Sequence, residues 1–458
     1  MTAWAGRASG GRGLSVLRWL ALAVAAGLAL GIAVSLGPGG AAALTVALCA
    51  GVALTFRPPL VLALLAASMF FEQANIGGAT VSRFIALVAI GLVVAEAARG
   101  RARVDLGVPL MIAIVYGLWA LSSAFWTVSD ARTQYLLGSL VVCGMYLVAF
   151  AALPRRTDDL YWAMMGIAIA ALVSGIVSLS HFATSGVTRQ EGLTGDPNFF
   201  AAYQVFAFPI VLALASQARQ PWLRGVLFVT LIAVIGSIFT SLSRGGILSL
   251  ALITLIVVVV PSRALFRSLP QKGLAAVIVA VGVAVALTFS YQAIATRIAS
   301  LVQGQEATGS GRVNEWRAAM RSFQERPLTG VGFGAFPTVS NELVKRTPGA
   351  DLHRFDLRPT GTHVHSVYLG SLAELGLIGL TLYLSLMLSS AVVLRRGARR
   401  AIARGDPLLG RLLNALVLAL LGWAVASVFL SSETSRPVWI AAGIALAVPR
   451  LLPQRTTA

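Results

Sequence analysis

The stretch HVHSVYLGSLAELGLIGL, residues 363–380, sets two of the chain's four histidines one residue apart, where a polar segment gives way to a long apolar run. A helix starting near His365 presents free N–H groups and a partial positive charge at its first turn, which attracts anions and disfavours protonation of a nearby imidazole. A neutral histidine there can serve as a general base beside a bound phosphate. Because i and i+2 do not share a helical face, His363 and His365 are not expected to act as a pair in the helix. The alternatives are a structural interfacial histidine, or an HxH metal site completed by Asp351 or Asp356, for which the spacing fixes no ligand set. Glu374 stands nine residues into the run, about 13–14 Å along an unbroken helix. A carboxylate at that depth is expected to be protonated, or paired with an arginine or polar backbone. Its role is then to hold helices in register or to position an arginine of the site.

Three further segments carry arginines at the edges of apolar runs. In FTSLSRGGILSL, 239–250, Arg244 stands between two serines and two glycines. A guanidinium at a lipid boundary is costly unless paired, and it offers donors that grip phosphate oxygens in a bidentate way. The competing reading is a snorkelling or ion-paired structural arginine. In GSGRVNEWRAAMRSFQERP, the residues Val313, Trp316, Met320 and Phe323 share one helical face, predicting a short amphipathic helix in the membrane interface, ended by Pro327. Arg312 borders that face, whereas Arg317 and Arg321 point away from it and read as solvated charges that orient the helix. In TRQEGLTGDPNFFAAY, 188–203, Asp196 followed by Pro197 is a complete helix-start signal. Arg189 and Asn198 beside it remain candidates for a site.

The elements that must position these residues are read from composition. The chain is 57% hydrophobic and only 12% charged, far from the roughly 25% expected of a soluble domain. About 20 apolar residues cross a bilayer as a helix, because lipid gives the backbone no hydrogen-bond partners. Runs at 14–36, 41–56, 58–71, 84–98, 107–125, 137–153, 160–180, 197–216, 225–240, 246–260, 274–289, 366–394, 412–430 and 437–452 predict an all-α polytopic membrane protein with about 14 transmembrane helices (12 to 14). The first run reads as an anchor rather than a removable signal peptide. Cys49 and Cys143 lie inside apolar runs, without metal or disulfide spacing, and read as packing residues.

The net charge of +19 is a topology signal rather than a nucleic-acid footprint. With both termini cytoplasmic, 21 of the 36 Lys and Arg fall on the inner side and 5 in the short outer connections. That leaves one large outer segment, 290–364, and two smaller outer pieces at 181–196 and 241–245. The candidate residues all lie in these pieces or at the span ends beside them. A transporter would instead place charge at the midplane of several spans.

The block HSVYLGSLAELGLIG resembles the signature of the O-antigen ligase and O-antigen polymerase superfamily, with His365, Ser366, Gly376 and Gly379 in the matching places. Leu380 stands where many ligases have Thr or Val. SRGG around Arg244, GRVNEW around Arg312, PLTGVGFGAF at 327–336 and GDPN at 195–198 are similar to further family blocks in the usual order. The resemblance covers roughly residues 185–385. Together with the apolar runs and the charge bias it divides the chain into N-terminal transmembrane helices over 1–180, a catalytic region over 181–394 that includes the periplasmic segment 290–364, and a cytoplasmic basic loop with C-terminal helices over 395–458. It further implies a bacterial inner-membrane glycosyltransferase working on the periplasmic side, inverting and metal-independent, without a cofactor. The donor would be a glycan on undecaprenyl diphosphate, and the acceptor a lipid A core sugar or a second lipid-linked glycan. His365 would activate the acceptor hydroxyl, Arg244 and Arg312 with Arg189 would hold the diphosphate, and His363, Asn198, Glu374 and Arg317 would support them. A lipid-linked glycan flippase and a protein-glycosylating branch of the superfamily are the alternatives.

Overall fold

The computed structural model describes residues 58–71, 75–76, 79–185, 189–259, 261, 264–273, 275–277, 279–284, 307–348, 361–431 and 434–452. The expected spans at 14–36 and 41–56, Cys49, Asp351, Asp356 and both termini lie outside these residues. The expected 274–289 span and the 290–364 segment are described in part.

Among the described residues, eight helices are long and apolar enough to cross a membrane. They are α2 (Val81–Ala98), α3 (Val108–Ser122), α4 (Asp130–Ala152), α5 (Thr157–Ser185), α6 (Pro197–Gln217), α7 (Pro221–Thr240), α12 (Val367–Ala403) and α13 (Pro407–Ala426). Shorter helices join them: α1 (Pro58–Ala67), α8 (Arg244–Val259), α9 (Leu269–Ala284) and α14 (Arg436–Leu451). Two more, α10 (Ala307–Glu325) and α11 (Phe336–Arg346), are amphipathic. This is a multi-pass membrane protein built from helices. A two-residue antiparallel pair, Asn75–Ile76 with Ala79–Thr80, lies in the connection from α1 to α2 of this otherwise helical fold, which is all-α as expected.

Caps explain where several helices begin. Asp196 Oδ1 accepts from the backbone N–H groups of Asn198 (2.7 Å) and Phe199 (2.9 Å), with Pro197 opening α6. Asp406 accepts from Leu409 N–H at 2.9 Å, with Pro407 opening α13. The Arg-rich stretch after residue 394, expected as a loop, is helical as far as Ala403, because Ala and Arg are strong helix formers.

The centre of the bundle is α6, buried along nearly its whole length. In lipid, helices associate through close packing more than through hydrophobic driving force, and small residues permit the approach. Helix α6 supplies them in Ala201, Ala202, Ala207 and Ala213, and stacks Tyr203 on Trp423 of α13 with ring centroids 5.4 Å apart. Its buried polar residue Gln204 donates Nε2 to Ala171 O of α5 at 3.1 Å. Cys143 is buried on α4, its thiol donating to Thr434 O at 2.8 Å.

The connections gather at two ends. One end holds the α3–α4 turn, the residues before α6, the α7–α8 turn, α10 and α11, the start of α12 and the α13–α14 connection. A second, smaller apolar core, including Ala318, Val331, Phe336, Val344, Val364 and Ala373, fixes α10 and α11 there. The other end holds the α2–α3, α4–α5, α6–α7 and α12–α13 connections.

Helix α12 is broken at Gly376, whose φ of 67° and ψ of −167° belong to a region open essentially to glycine alone. The loop 327–335 docks into this break. Val331 N–H donates to Ala373 O (3.0 Å), Gly332 N–H to Glu374 O (2.9 Å), and Leu377 N–H to Pro327 O (2.9 Å). Trp119 Nε1 of α3 adds a bond to Leu375 O at 3.0 Å. The break falls two residues beyond Glu374, so the helical run from Val367 to Glu374 is continuous.

Candidate active site

The turn from α7 into α8 forms where Leu242 adopts a positive φ of 51°, a conformation that costs a non-glycine residue energy and is enriched at functional sites. It leaves Arg244 as the first residue of α8 with an exposed side chain. Behind it, Asn198 Oδ1 accepts from Arg189 Nη2 and from Ser243 Oγ, both at 3.1 Å. Arg189 Nε also donates to Ser241 O at 3.3 Å, and Gln190 N–H to Thr240 O at 3.1 Å. Arg189, Asn198 and the Arg244 turn are thus one hydrogen-bonded unit.

His365 has the second positive non-glycine φ, 50°. It precedes Ser366, whose hydroxyl caps α12 by accepting from Leu369 N–H at 3.4 Å. The half-buried His365 ring sets Nδ1 2.9 Å from Ser431 Oγ, in the α13–α14 connection. With Ser431 accepting from Nδ1–H, Nε2 becomes the nitrogen that can take a proton.

Phe429 ties these pieces together. It closes the short 3-10 turn Ser427–Phe429, two residues before Ser431. Its ring lies where a Cβ on Gly245 would fall 2.5 Å from Cδ2, so α8 approaches it closely only because that position is glycine. On another side it meets Trp316 of α10, with ring centroids 6.4 Å apart. Arg244 adjoins Gly245, Arg312 lies one turn before Trp316, and His365 bonds Ser431, so the segments that carry the three residues border one turn.

Helix α10 docks in a way the apolar stripe did not foretell. Its buried face is Asn314, Glu315, Ala318, Ala319 and Ser322, with Ser322 Oγ donating to Ala373 O at 3.3 Å. Val313 and Met320 of the stripe stay exposed, Arg312 is half-buried and Arg317 is exposed. Small and polar residues let the two helices approach, which leaves apolar side chains facing outward as an interfacial helix requires. Arg321 is used structurally, donating Nη1 to Arg346 O of α11 at 2.5 Å and pairing with Glu325 at 3.3 Å.

Glu374 is buried, and its Oε2 accepts from Gly334 N–H at 2.7 Å, so backbone fills the partner role expected for it. His363 is exposed, and desolvation by the surrounding protein, then the Arg132 guanidinium of α4, hold its pKa below the usual imidazole value. Among the described residues no group of three or more His, Cys, Asp or Glu could hold a metal ion.

Sequence reasoning missed Ser431, Phe429, Arg132, Glu315 and Arg436. Arg436 is buried at the start of α14 and donates to Thr434 O at 3.2 Å. The signal for Ser431 and Arg436 was present in SSETSRP, a polar break between two apolar runs whose outer ends share the His365 face.

Residues 228–384 match the model of the O-antigen ligase family, which supports the likeness to the O-antigen ligase and polymerase superfamily. The match spans α7 to the middle of α12, and so contains Arg244, Arg312, His363, His365 and Glu374. It supports glycosyl transfer of the O-antigen ligase type. A comparison with curated proteins returns no match.

Proposed function

We propose that the protein transfers a glycan from an undecaprenyl diphosphate-linked donor to a sugar hydroxyl, on the periplasmic face of the bacterial inner membrane. The observation that carries this reading is the convergence of α8, α10, the start of α12 and the α13–α14 connection around Phe429. The turn that carries Arg244, the helix that carries Arg312 and the residue His365 with its ring oriented by Ser431 adjoin there.

Diphosphate is already an activated leaving group, so the reaction needs charge stabilisation and one base. Arg244 and Arg312, backed by Arg189, take the charge that develops as the anomeric C–O bond breaks. His365 Nε2 accepts the acceptor's hydroxyl proton as its oxygen attacks the anomeric carbon from the opposite side. This single displacement inverts the centre and passes no electrons to a cofactor or metal. The outward apolar side chains of α10 suit a lipid-borne donor. The arginine-rich end opposite the site suits the cytoplasm, which supports a periplasmic site. The acceptor is lipid A core sugar or a second lipid-linked glycan.

The test is transfer in nanodiscs by wild type and His365→Ala with each acceptor. Loss of a positioned general base predicts a fall of about 10²- to 10⁴-fold, with an unchanged melting midpoint. Equal transfer by the two proteins would reduce His365 to a structural residue. Donor movement across the bilayer without transfer would replace this reading with flipping.

A further inference from the structure

The C-terminal ends of α2, α4 and α14 meet at the end of the molecule opposite the candidate site. Between them opens a cavity of about 280 Å³ lined by Gly100, Arg101, Arg103, Pro154, Arg155 and Arg450. Two of these arginines are fixed in its wall. Arg450 donates Nη1 to Arg103 O (2.8 Å) and Ala152 O (3.3 Å), and Nη2 to Ala151 O, so it caps the last carbonyls of α4. Arg155 pairs with the buried Glu96, which also holds Arg99 at 2.8 Å. The other two stand at the mouth. Arg103 is largely exposed, with Asp105 at 3.5 Å, and that carboxylate also faces Arg450 at 3.1 Å. Arg101 is exposed and has no ion-pair partner among the described residues. Asp159, below the cavity, is engaged by the backbone N–H groups of Arg155 and Arg156.

Membrane topology asks for positive charge at these helix ends. It does not ask for four guanidiniums around one cavity where, among the described residues, Glu96 and Asp105 are the carboxylates paired with them. Guanidiniums grip phosphate oxygens with directed, charge-assisted hydrogen bonds. Basic cavities between helix ends at a membrane surface are where phosphate head groups bind. Next to the mouth, Leu106 and Val108 are 85% and 62% exposed, which gives acyl chains an apolar path into the bilayer.

We propose that this cavity binds the phosphate of an anionic phospholipid, with the head group among Arg101, Arg103, Arg155 and Arg450 and the acyl chains along Leu106 and Val108. The site is at the far end of the bundle from His365 and does not depend on the glycan-transfer reading.

The test uses the full chain in phosphatidylcholine nanodiscs doped with phosphatidylglycerol, with bound lipid counted by native mass spectrometry. Wild type should retain phosphatidylglycerol in preference to phosphatidylcholine. The variant Arg101→Ala/Arg103→Ala should bind it about 25-fold more weakly, near fivefold per arginine removed. Its melting midpoint in phosphatidylcholine alone checks the fold, and Arg101→Gln, at an exposed side chain, gives the single fivefold step if the double variant is unstable. Equal retention by wild type and variants would overturn the proposal. Inorganic phosphate at millimolar concentration should neither displace the lipid nor raise the midpoint. If it raises the midpoint of wild type while phosphatidylglycerol is not retained, the anion is a soluble phosphate and the lipid source is overturned.

Discussion

Both ends of this molecule are rich in arginine, and the two ends satisfy it differently. At the end opposite the site, guanidiniums close onto carboxylates: Arg155 and Arg99 onto Glu96, Arg450 and Arg103 onto Asp105. At the site end, Arg189 is held by Asn198 Oδ1 and Ser241 O, and Arg436 by Thr434 O. The buried carboxylate there, Glu374, is taken up by a backbone N–H. A carbonyl or amide oxygen positions a guanidinium without cancelling its charge, whereas a carboxylate does both. The site end thus positions Arg189 through uncharged oxygens, although Arg321 and Arg346 on α10 and α11 pair with Glu325 and Glu342; the opposite end locks its helix ends with carboxylate-paired arginines and leaves Arg101 at the cavity mouth without an ion pair among the described residues.

The largest test of this contrast attacks the scaffold of the site without touching a charged group. A Cβ at Gly376 would lie 2.2 Å from Leu328 O, on a backbone conformation that itself costs a non-glycine residue about 1–3 kcal/mol. Gly376→Ala should therefore expel the 327–335 loop and lose about 4 kcal/mol in all, once the docking hydrogen bonds at roughly 1 kcal/mol each are added. Denaturant unfolding would measure it, and transfer should fall with it although every arginine remains. Next in size is Arg244→Ala. Removing a group that stabilises departing charge costs about 3 kcal/mol of transition-state stabilisation, on the order of 100-fold in rate. The melting midpoint should hold, because the arginine is exposed. Glu96→Gln inverts that pattern. It strips a buried carboxylate from two guanidiniums that are partly solvated, and should cost about 2 kcal/mol of stability. The rate per folded molecule should be unchanged. A variant on either face that moved rate and stability together would break the division of labour.

Much of this was legible in the sequence because it rests on local rules. Among the described residues the apolar runs gave the helices, Asp196 and Pro197 marked the start of α6, and HVHS marked the start of α12. Long-range matters were not legible. The stripe of α10 gave two outward residues, Val313 and Met320, but Asn314, Glu315 and Ser322 pack inward because of what α12 presents to them, and no local pattern encodes that surface. The break at Gly376 was hidden for the same reason. A lone glycine in an apolar run reads as helix until the loop that needs its carbonyls and N–H groups is brought to it. Ser431 was missed because a serine in a short polar connection has no signature until a histidine 66 residues away in sequence meets it.

The smallest effect probes the contrast most directly, through a proton. If the site end keeps its positive potential, a group that gains charge there should pay for it in stability. His363 is such a group, its pKa depressed by desolvation and by Arg132. The native state then prefers the neutral ring. The stability this contributes is fully present above the unfolded value of about 6.5 and is lost as pH falls through the depressed folded value. His363→Gln cannot take up the proton, so its melting midpoint should decline less than that of wild type between neutral pH and pH 5. Subtracting the two curves removes every other titrating group, His365 included. The wild-type penalty should shrink again in Arg132→Gln, which deletes the cation and leaves only desolvation. Curves that stay parallel for wild type and His363→Gln would mean that the potential around His363 is neutralised after all, and the two ends would differ less than their partners imply.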